Sequence, residues 1–178
     1  CSSDLNPPIG PQAAVDKQYE AKIAMLRKIK ARPIGYVRLG EGTGEGRVYD
    51  TMESVEQQIA IWWSLYPQIE GFFFDTCPTD EASFDGINKI ATSIKQRSPG
   101  AKIVINPGAI PHENYLNSKS IDIICAFESN LDAASLAKFP VTNSNLAAIL
   151  WDSKRSPEAE IATLRPKGFS SFYITDRS

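Results

Sequence analysis

Apolar positions along this chain fall into two kinds of block, and the two kinds alternate. Blocks of the first kind repeat at helical spacing. Val15, Tyr19, Ile23, Leu26 and Ile29 form a stripe across 13–31, and Val55, Ile59, Trp62 and Tyr66 form another across a helix that runs to 66. Phe84, Ile87, Ala91 and Ile94 form a third, closed by Pro99-Gly100. Shorter helices are expected around Tyr115, near 131–139, and after Ser156-Pro157, where proline suits a first helical turn. Asp50 and Glu53 have the spacing of a capping box and predict the start of the second helix. Blocks of the second kind are short runs with little polar interruption: 34–39, 69–78, 101–106, 121–128, 146–152 and 169–176. Runs this short and this apolar read as strands buried on both faces, as parallel sheets require.

Strand and helix alternate throughout, which predicts an α/β fold with a parallel sheet and right-handed crossovers. The pattern yields six strands. A TIM barrel has eight, so the alternatives are an open doubly wound sheet or a barrel without its beginning. The opening 1–12 is rich in proline, serine and glycine and reads as a loop. The glycine-rich 40–47 lacks the Gly-Lys-Ser/Thr ending of a phosphate loop, and its two glutamates would repel phosphate. It reads instead as a flexible loop at the mouth of a site. One domain over 1–178 accounts for the whole pattern.

The run at 69–78 organises the chain. Gly71-Phe72-Phe73-Phe74 ends abruptly on Asp75. Other strands also end on polar residues: Asn106, Glu128, Asp152 and Asp176. The C-terminal ends of parallel strands are where α/β proteins build their sites. Side chains alternate along a strand, so Phe73 should share a face with Asp75, Val104 with Asn106, and Ala126 with Glu128. If those faces point inward, Asp75 and Glu128 meet across the strand that carries Asn106. Two carboxylates on one cleft, with aromatics to stack on sugar rings, suit glycoside hydrolysis. The competing reading is that such acids cap the next helix or pair with an arginine.

Composition narrows the remaining choices. Formal net charge is −2 with 22% charged residues, and no Lys/Arg cluster stands out, which argues against a nucleic-acid partner. No apolar run has the length of a membrane span. Three cysteines (Cys1, Cys77, Cys125) make neither a disulfide framework nor a zinc motif. The single histidine, His112, cannot furnish a metal site or a Ser-His-Asp triad alone. Chemistry here must rest on carboxylates, amides and aromatics, with no cofactor and no metal. Cys1 reads either as an arbitrary start or as the lipid-bearing end of a surface-anchored protein.

Gly35-Tyr36-Val37, Gly71-Phe72-Phe73-Phe74-Asp75, Asn106-Pro107-Gly108, Ala126-Phe127-Glu128 and Tyr173-Ile174-Thr175-Asp176 occur in that order. This set resembles the spherulin-4 (spherulation-specific family 4) group, and Asn6-Pro7 to Gly10-Pro11 matches a segment after an early barrel strand in that group. The group is similar to secreted TIM-barrel hydrolases of the endo-α-1,4-galactosaminidase type, which act on galactosaminogalactan. The resemblance implies a TIM (β/α) barrel lacking its first strand and helix here. It implies a secreted or cell-surface location, a polysaccharide partner, and Asp75 and Glu128 as the catalytic acids. Asp75 would be nucleophile or oxocarbenium stabiliser. Glu128 would be acid/base and should lie in the more apolar surroundings. Tyr36, Arg38, Thr76, Asn106, Trp151 and Asp176 are expected to contact substrate. The group has Asp-Glu where this chain has Asp75-Thr76, so a non-catalytic carbohydrate-binding or matrix protein is the rival expectation. A barrel short of strands also leaves a parallel edge to be covered by a partner or a further segment.

Overall fold

The computed structural model describes residues 14–41, 48–129 and 145–176. The chain opens with α1 (Lys17–Lys28), β1 (Gly35–Arg38), β2 (Gly40–Glu41), β3 (Val48–Tyr49), α2 (Met52–Leu65) and β4 (Gly71–Asp75). It continues through α3 (Glu81–Arg97), β5 (Lys102–Asn106), α4 (Glu113–Asn117), β6 (Ile123–Ser129), β7 (Leu146–Leu150), α5 (Pro157–Leu164) and β8 (Phe169–Ile174). Six strands form one parallel sheet in the order β1-β4-β5-β6-β7-β8. The order follows the chain without reversal. A doubly wound sheet reverses at a switch point, so the sheet is singly wound, and that alternative is corrected. The expected loop at 40–47 has a stem that sequence reading missed, because β2 and β3 pair antiparallel. The expected helix near 131–139, the opening with Asn6-Pro7 and Cys1, and residues 42–47 lie outside the described residues.

The described helices sit on one face of the sheet. Val37, Leu39, Phe72, Phe74, Ile103, Ile105, Ile124, Ala148 and Leu150 point to that side, where they pack with Val55, Ile59, Trp62, Ile87, Ile94 and Leu164 from the helices. The other face carries a smaller cluster of strand residues, Val104, Cys125 and Ala147, with half-buried Ile34, Phe73, Ile123 and Ile149 against it. Alternation sorts the two sets, as the pleat dictates. At the start of β4 the backbone of β5 comes too close for any side chain. A Cβ on Gly71, at φ 151°, would stand 2.0 Å from the Lys102 carbonyl oxygen.

Helix starts follow side-chain capping. Asp16, Asp80 and Ser156 accept from the backbone N–H groups of Gln18, Ser83 and Ala159. For α2 the capping-box expectation at Asp50 is corrected. Thr51 is the cap and accepts from the Ser54 N–H at 3.2 Å. Asp50 instead accepts from buried Gln58 and donates its own N–H to the Leu39 carbonyl. The stripe on α1 is used only in part. Ile23 is buried and Tyr19 packs on the rings of Trp62 and Tyr66, whereas Leu26 and Ile29 are 40% and 68% exposed.

At the opposite end of the sheet from Asp75, Asp122 ties α3 to β5 and β6. It accepts from Lys95 Nζ at 2.6 Å, Lys102 Nζ at 3.0 Å and the Ile103 N–H at 2.8 Å. Burial pushes this carboxyl up, but those donors outweigh it and hold it below the ordinary value of 3.8. A depressed carboxylate stabilises the fold above its unfolded pKa, and that contribution is lost as pH falls through the folded one. Asp122→Asn should therefore cost about 1–2 kcal/mol at neutral pH in denaturant unfolding. The gap to wild type should close once the pH falls below the ordinary carboxylate range.

Candidate active site

Asp75 ends β4 in register with Arg38 on one side and Asn106 on the other. Paired residues of parallel strands point to the same face, so all three project from the end of the sheet. A half-buried carboxylate needs donors, and Asp75 has three. Tyr36 Oη donates to Oδ2 at 2.5 Å, Asn106 Nδ2 to Oδ1 at 2.9 Å, and the Thr76 N–H to Oδ1 at 2.9 Å. Tyr36 is held in turn, since the Trp62 indole donates to its carbonyl at 2.7 Å and its ring stacks on Phe73. Burial, and then the neighbouring Asp75, pushes the Tyr36 hydroxyl far above its ordinary value, so it stays a donor.

Asn106 also donates through Nδ2 to Glu128 Oε2 at 2.7 Å. The meeting of Asp75 and Glu128 at Asn106 is as expected, but the route to it is not. The register of β6 against β7 shifts between Cys125 and Phe127. Ala126 and Phe127 both join the helix-side core, while Cys125 lies in the opposite cluster. The expectation that Ala126 shares the face of Glu128 is thus corrected: the irregularity re-aims Glu128 toward Asn106. Surroundings are corrected too, since Glu128 is exposed and Asp75 is the more buried of the pair. The Gly108 backbone, at φ 67°, lies against Glu128; a Cβ there would be 3.8 Å from Oε2.

With N···O distances of 2.9 and 2.7 Å, acceptors lying along the two N–H bonds of an amide, about 120° from each other, stand about 5 Å apart.

The remaining expected residues divide. Thr76 adopts φ 53°, a strained conformation for a β-branched residue. Its hydroxyl, with one hydrogen to give, lies 2.7 Å from the Asp75 carbonyl oxygen and 3.1 Å from that of Gly40. Arg38 Nε donates to the same Gly40 carbonyl at 2.7 Å, so both residues fasten the β2–β3 stem beside Asp75. Trp151 follows β7 and is 39% exposed, and Asp176 follows β8 and is exposed. No hydrogen bond or ion pair joins either to the carboxylate pair among the described residues. Asp152 pairs with Lys154, and His112 caps α4 3.9 Å from Glu81. No group of acids, cysteines and histidine suited to a metal ion occurs among the described residues.

Sequence reading missed Gly40, Trp62 and Cys125. Only Gly40, inside a glycine-rich run, carried any signal. The Cys125 thiol lies buried below the pair, and its pKa is pushed up to about 12 by burial, then by Glu128 and Asp75.

Residues 5–178 match the model of Spherulation-specific family 4. The chain belongs to that family. Spherulin-4 of Physarum polycephalum is 25% identical over 121 residues, which is 67% of this chain and 35% of that protein. The chain thus spans about a third of the length of this relative. No solved structure matches it. Among the described residues, no helix is long and apolar enough to cross a membrane.

Within this family member the two described cysteines are buried, and Cys125 is a poor thiolate. Reactivity belongs to the thiolate. Neither Cys77 nor Cys125 should react with iodoacetamide at pH 8 in the native protein, while both should react in denaturant. Mass mapping of the labelled peptides checks this, and rapid native labelling of Cys125 would contradict the burial described above.

Proposed function

We propose that this chain is a glycoside hydrolase-like domain that cleaves an amino-sugar- or galactose-containing exopolysaccharide through Asp75 and Glu128. The observation that carries the reading is the pair itself: two carboxylates at the C-terminal ends of parallel strands, bridged by one amide nitrogen. The six-strand sheet is read as part of a (β/α) barrel. Its unreversed strand order and single helical face support that reading, because a barrel has one helical ring. A closed barrel of this kind needs further strands beside β1 and β8, supplied by another segment or a partner. A secreted or cell-surface location follows from the extracellular nature of the substrate.

In the reaction, Asp75 is the carboxylate and Glu128 carries the proton. Asp75 faces three donors, whereas Glu128 Oε1 faces none among the described residues. Glu128 passes its proton to the glycosidic oxygen as the bond from that oxygen to the anomeric carbon breaks. Asp75 attacks that carbon to form a glycosyl ester. Water, losing its proton to Glu128, then displaces Asp75 and releases the sugar. Separations of about 5–5.5 Å between carboxyl groups suit this double displacement, and wider ones suit inversion. The spacing of about 5 Å between the bridged oxygens supports retention.

Two observations favour a second reading, a non-catalytic carbohydrate-binding protein. A general acid works best in apolar surroundings, and Glu128 is exposed. Thr76 also supplies no carboxylate beside Asp75, and both hydroxyl contacts it makes are to backbone carbonyls.

Reducing-end release from a partly deacetylated α-1,4-galactosamine polymer, within a panel of microbial exopolysaccharides, separates the two. Wild type should release sugar with retained anomeric configuration, read by proton NMR. Glu128→Gln should lose about 10²–10⁴-fold in kcat, yet retain polymer binding in affinity electrophoresis. Binding without release, by wild type and across the panel, would hand the case to the second reading.

A further inference from the structure

We infer that Asn106 is a positioning residue: its single amide nitrogen holds Asp75 and Glu128 at their working separation and keeps Glu128 turned into the site. This deepens the glycosidase reading and rests on it for the catalytic consequence, but the structural part stands without it.

An asparagine amide nitrogen has two hydrogens. One goes to Asp75 Oδ1 at 2.9 Å and the other to Glu128 Oε2 at 2.7 Å. No hydrogen remains for a substrate, so the part Asn106 plays is to orient the acids. The Asp75 carboxylate sets the amide orientation: reversing it would turn the carbonyl oxygen toward that negative charge.

The oxygen supplies the second observation. Asn106 is 5% exposed, and its Oδ1 is buried without a hydrogen-bond partner among the described residues. A buried acceptor left unpaired is unfavourable. The fold tolerates it here because no other side chain of this size presents two neutral donors from one atom. Aspartate would set a second negative charge against Asp75, and leucine would bring no donor. The backbone of Asn106 adds rigidity, since its carbonyl accepts from the Cys77 N–H at 3.0 Å.

Glu128 is the member of the pair that needs holding. Asp75 keeps Tyr36 and the Thr76 N–H if Asn106 is removed. Glu128 has only the amide among the described residues, on an exposed side chain and beside a glycine that provides no wall. Ordering such a side chain carries an entropic penalty. Without the amide, the carboxylate would rotate into water, away from any bond it must protonate.

Two experiments test the inference, and their failures are distinguishable. The first needs no activity. In ¹H–¹⁵N spectra the Asn106 side-chain amide should give two geminal protons, both shifted downfield by charged acceptors. Glu128→Ala should move one of them upfield, and Asp75→Ala the other. If Glu128→Ala leaves both protons where they are, the amide is not shared and the inference is overturned, whatever the enzyme does. The second is kinetic, on the polymer that wild type cleaves. Asn106→Ala should lower kcat by about a hundredfold with KM changed less than about twofold, and Asn106→Ser, keeping one donor, should recover part of the loss. An Asn106→Ala variant with wild-type kcat would also overturn it. Sharing of the amide in the spectra, with no hydrolysis by wild type, would uphold the positioning and sink the glycosidase reading alone.

Discussion

The site depends on one constraint: a carboxylate at the end of an apolar strand must find donors from its neighbours. Asp75 finds them on both sides, from Tyr36 on β1 and Asn106 on β5. The β1–β4 and β4–β5 registers therefore have to be correct to the residue. A slip of one position would turn Asp75 into the helix-side core and leave Phe74 in its place. Gly71 protects that register at the other end of β4, where only a glycine lets the β5 backbone approach. The organising strand is thus pinned at its start by sterics and at its end by hydrogen bonds.

The same logic explains how the loops are arranged around Asp75. Its backbone carbonyl accepts from the Leu39 and Thr76 groups, and the Gly40 carbonyl collects Arg38 and Thr76. Thr76 sits in a left-handed conformation that a β-branched residue avoids. The strain is compensated by hydrogen bonds from its hydroxyl and its N–H, and it aims the N–H at the Asp75 carboxylate. Backbone strain held in place by its surroundings is a common feature of functional sites. Arg38 and Thr76, read from sequence as substrate contacts, both fasten the hairpin stem to the strand that carries the acid.

Opposite ends of the sheet use charge differently. Below, Asp122 faces two lysines and a backbone donor and holds α3 to the strands. Above, Asp75 and Glu128 share a neutral donor, with no lysine or arginine hydrogen-bonded to either carboxylate among the described residues. A carboxylate neutralised by lysine is a structural clamp. Two carboxylates held by an amide remain available for chemistry, which is the physical difference between the two clusters.

The alternation of apolar runs and helical stripes was enough to determine the class of fold, the six parallel strands, and the residues on which those strands end. Burial on both faces leaves an unambiguous mark, as in Phe72-Phe73-Phe74, and an acid directly after it is visible at once. Five ordered motifs were also enough to indicate the family. Tertiary structure alone decided the rest. Whether the sheet is singly wound depends on strand order, which no local pattern encodes. The register shift in β6 takes Ala126 away from the face of Glu128, and it depends on the fit of β6 against β7. The Thr51 cap prevailed over Asp50 because Asp50 had a better use against Leu39 and Gln58. The Asn106 bridge joins residues 31 and 22 positions away along the chain. Contacts at that distance come from packing the strands side by side, and only the folded chain brings one nitrogen within reach of both acids.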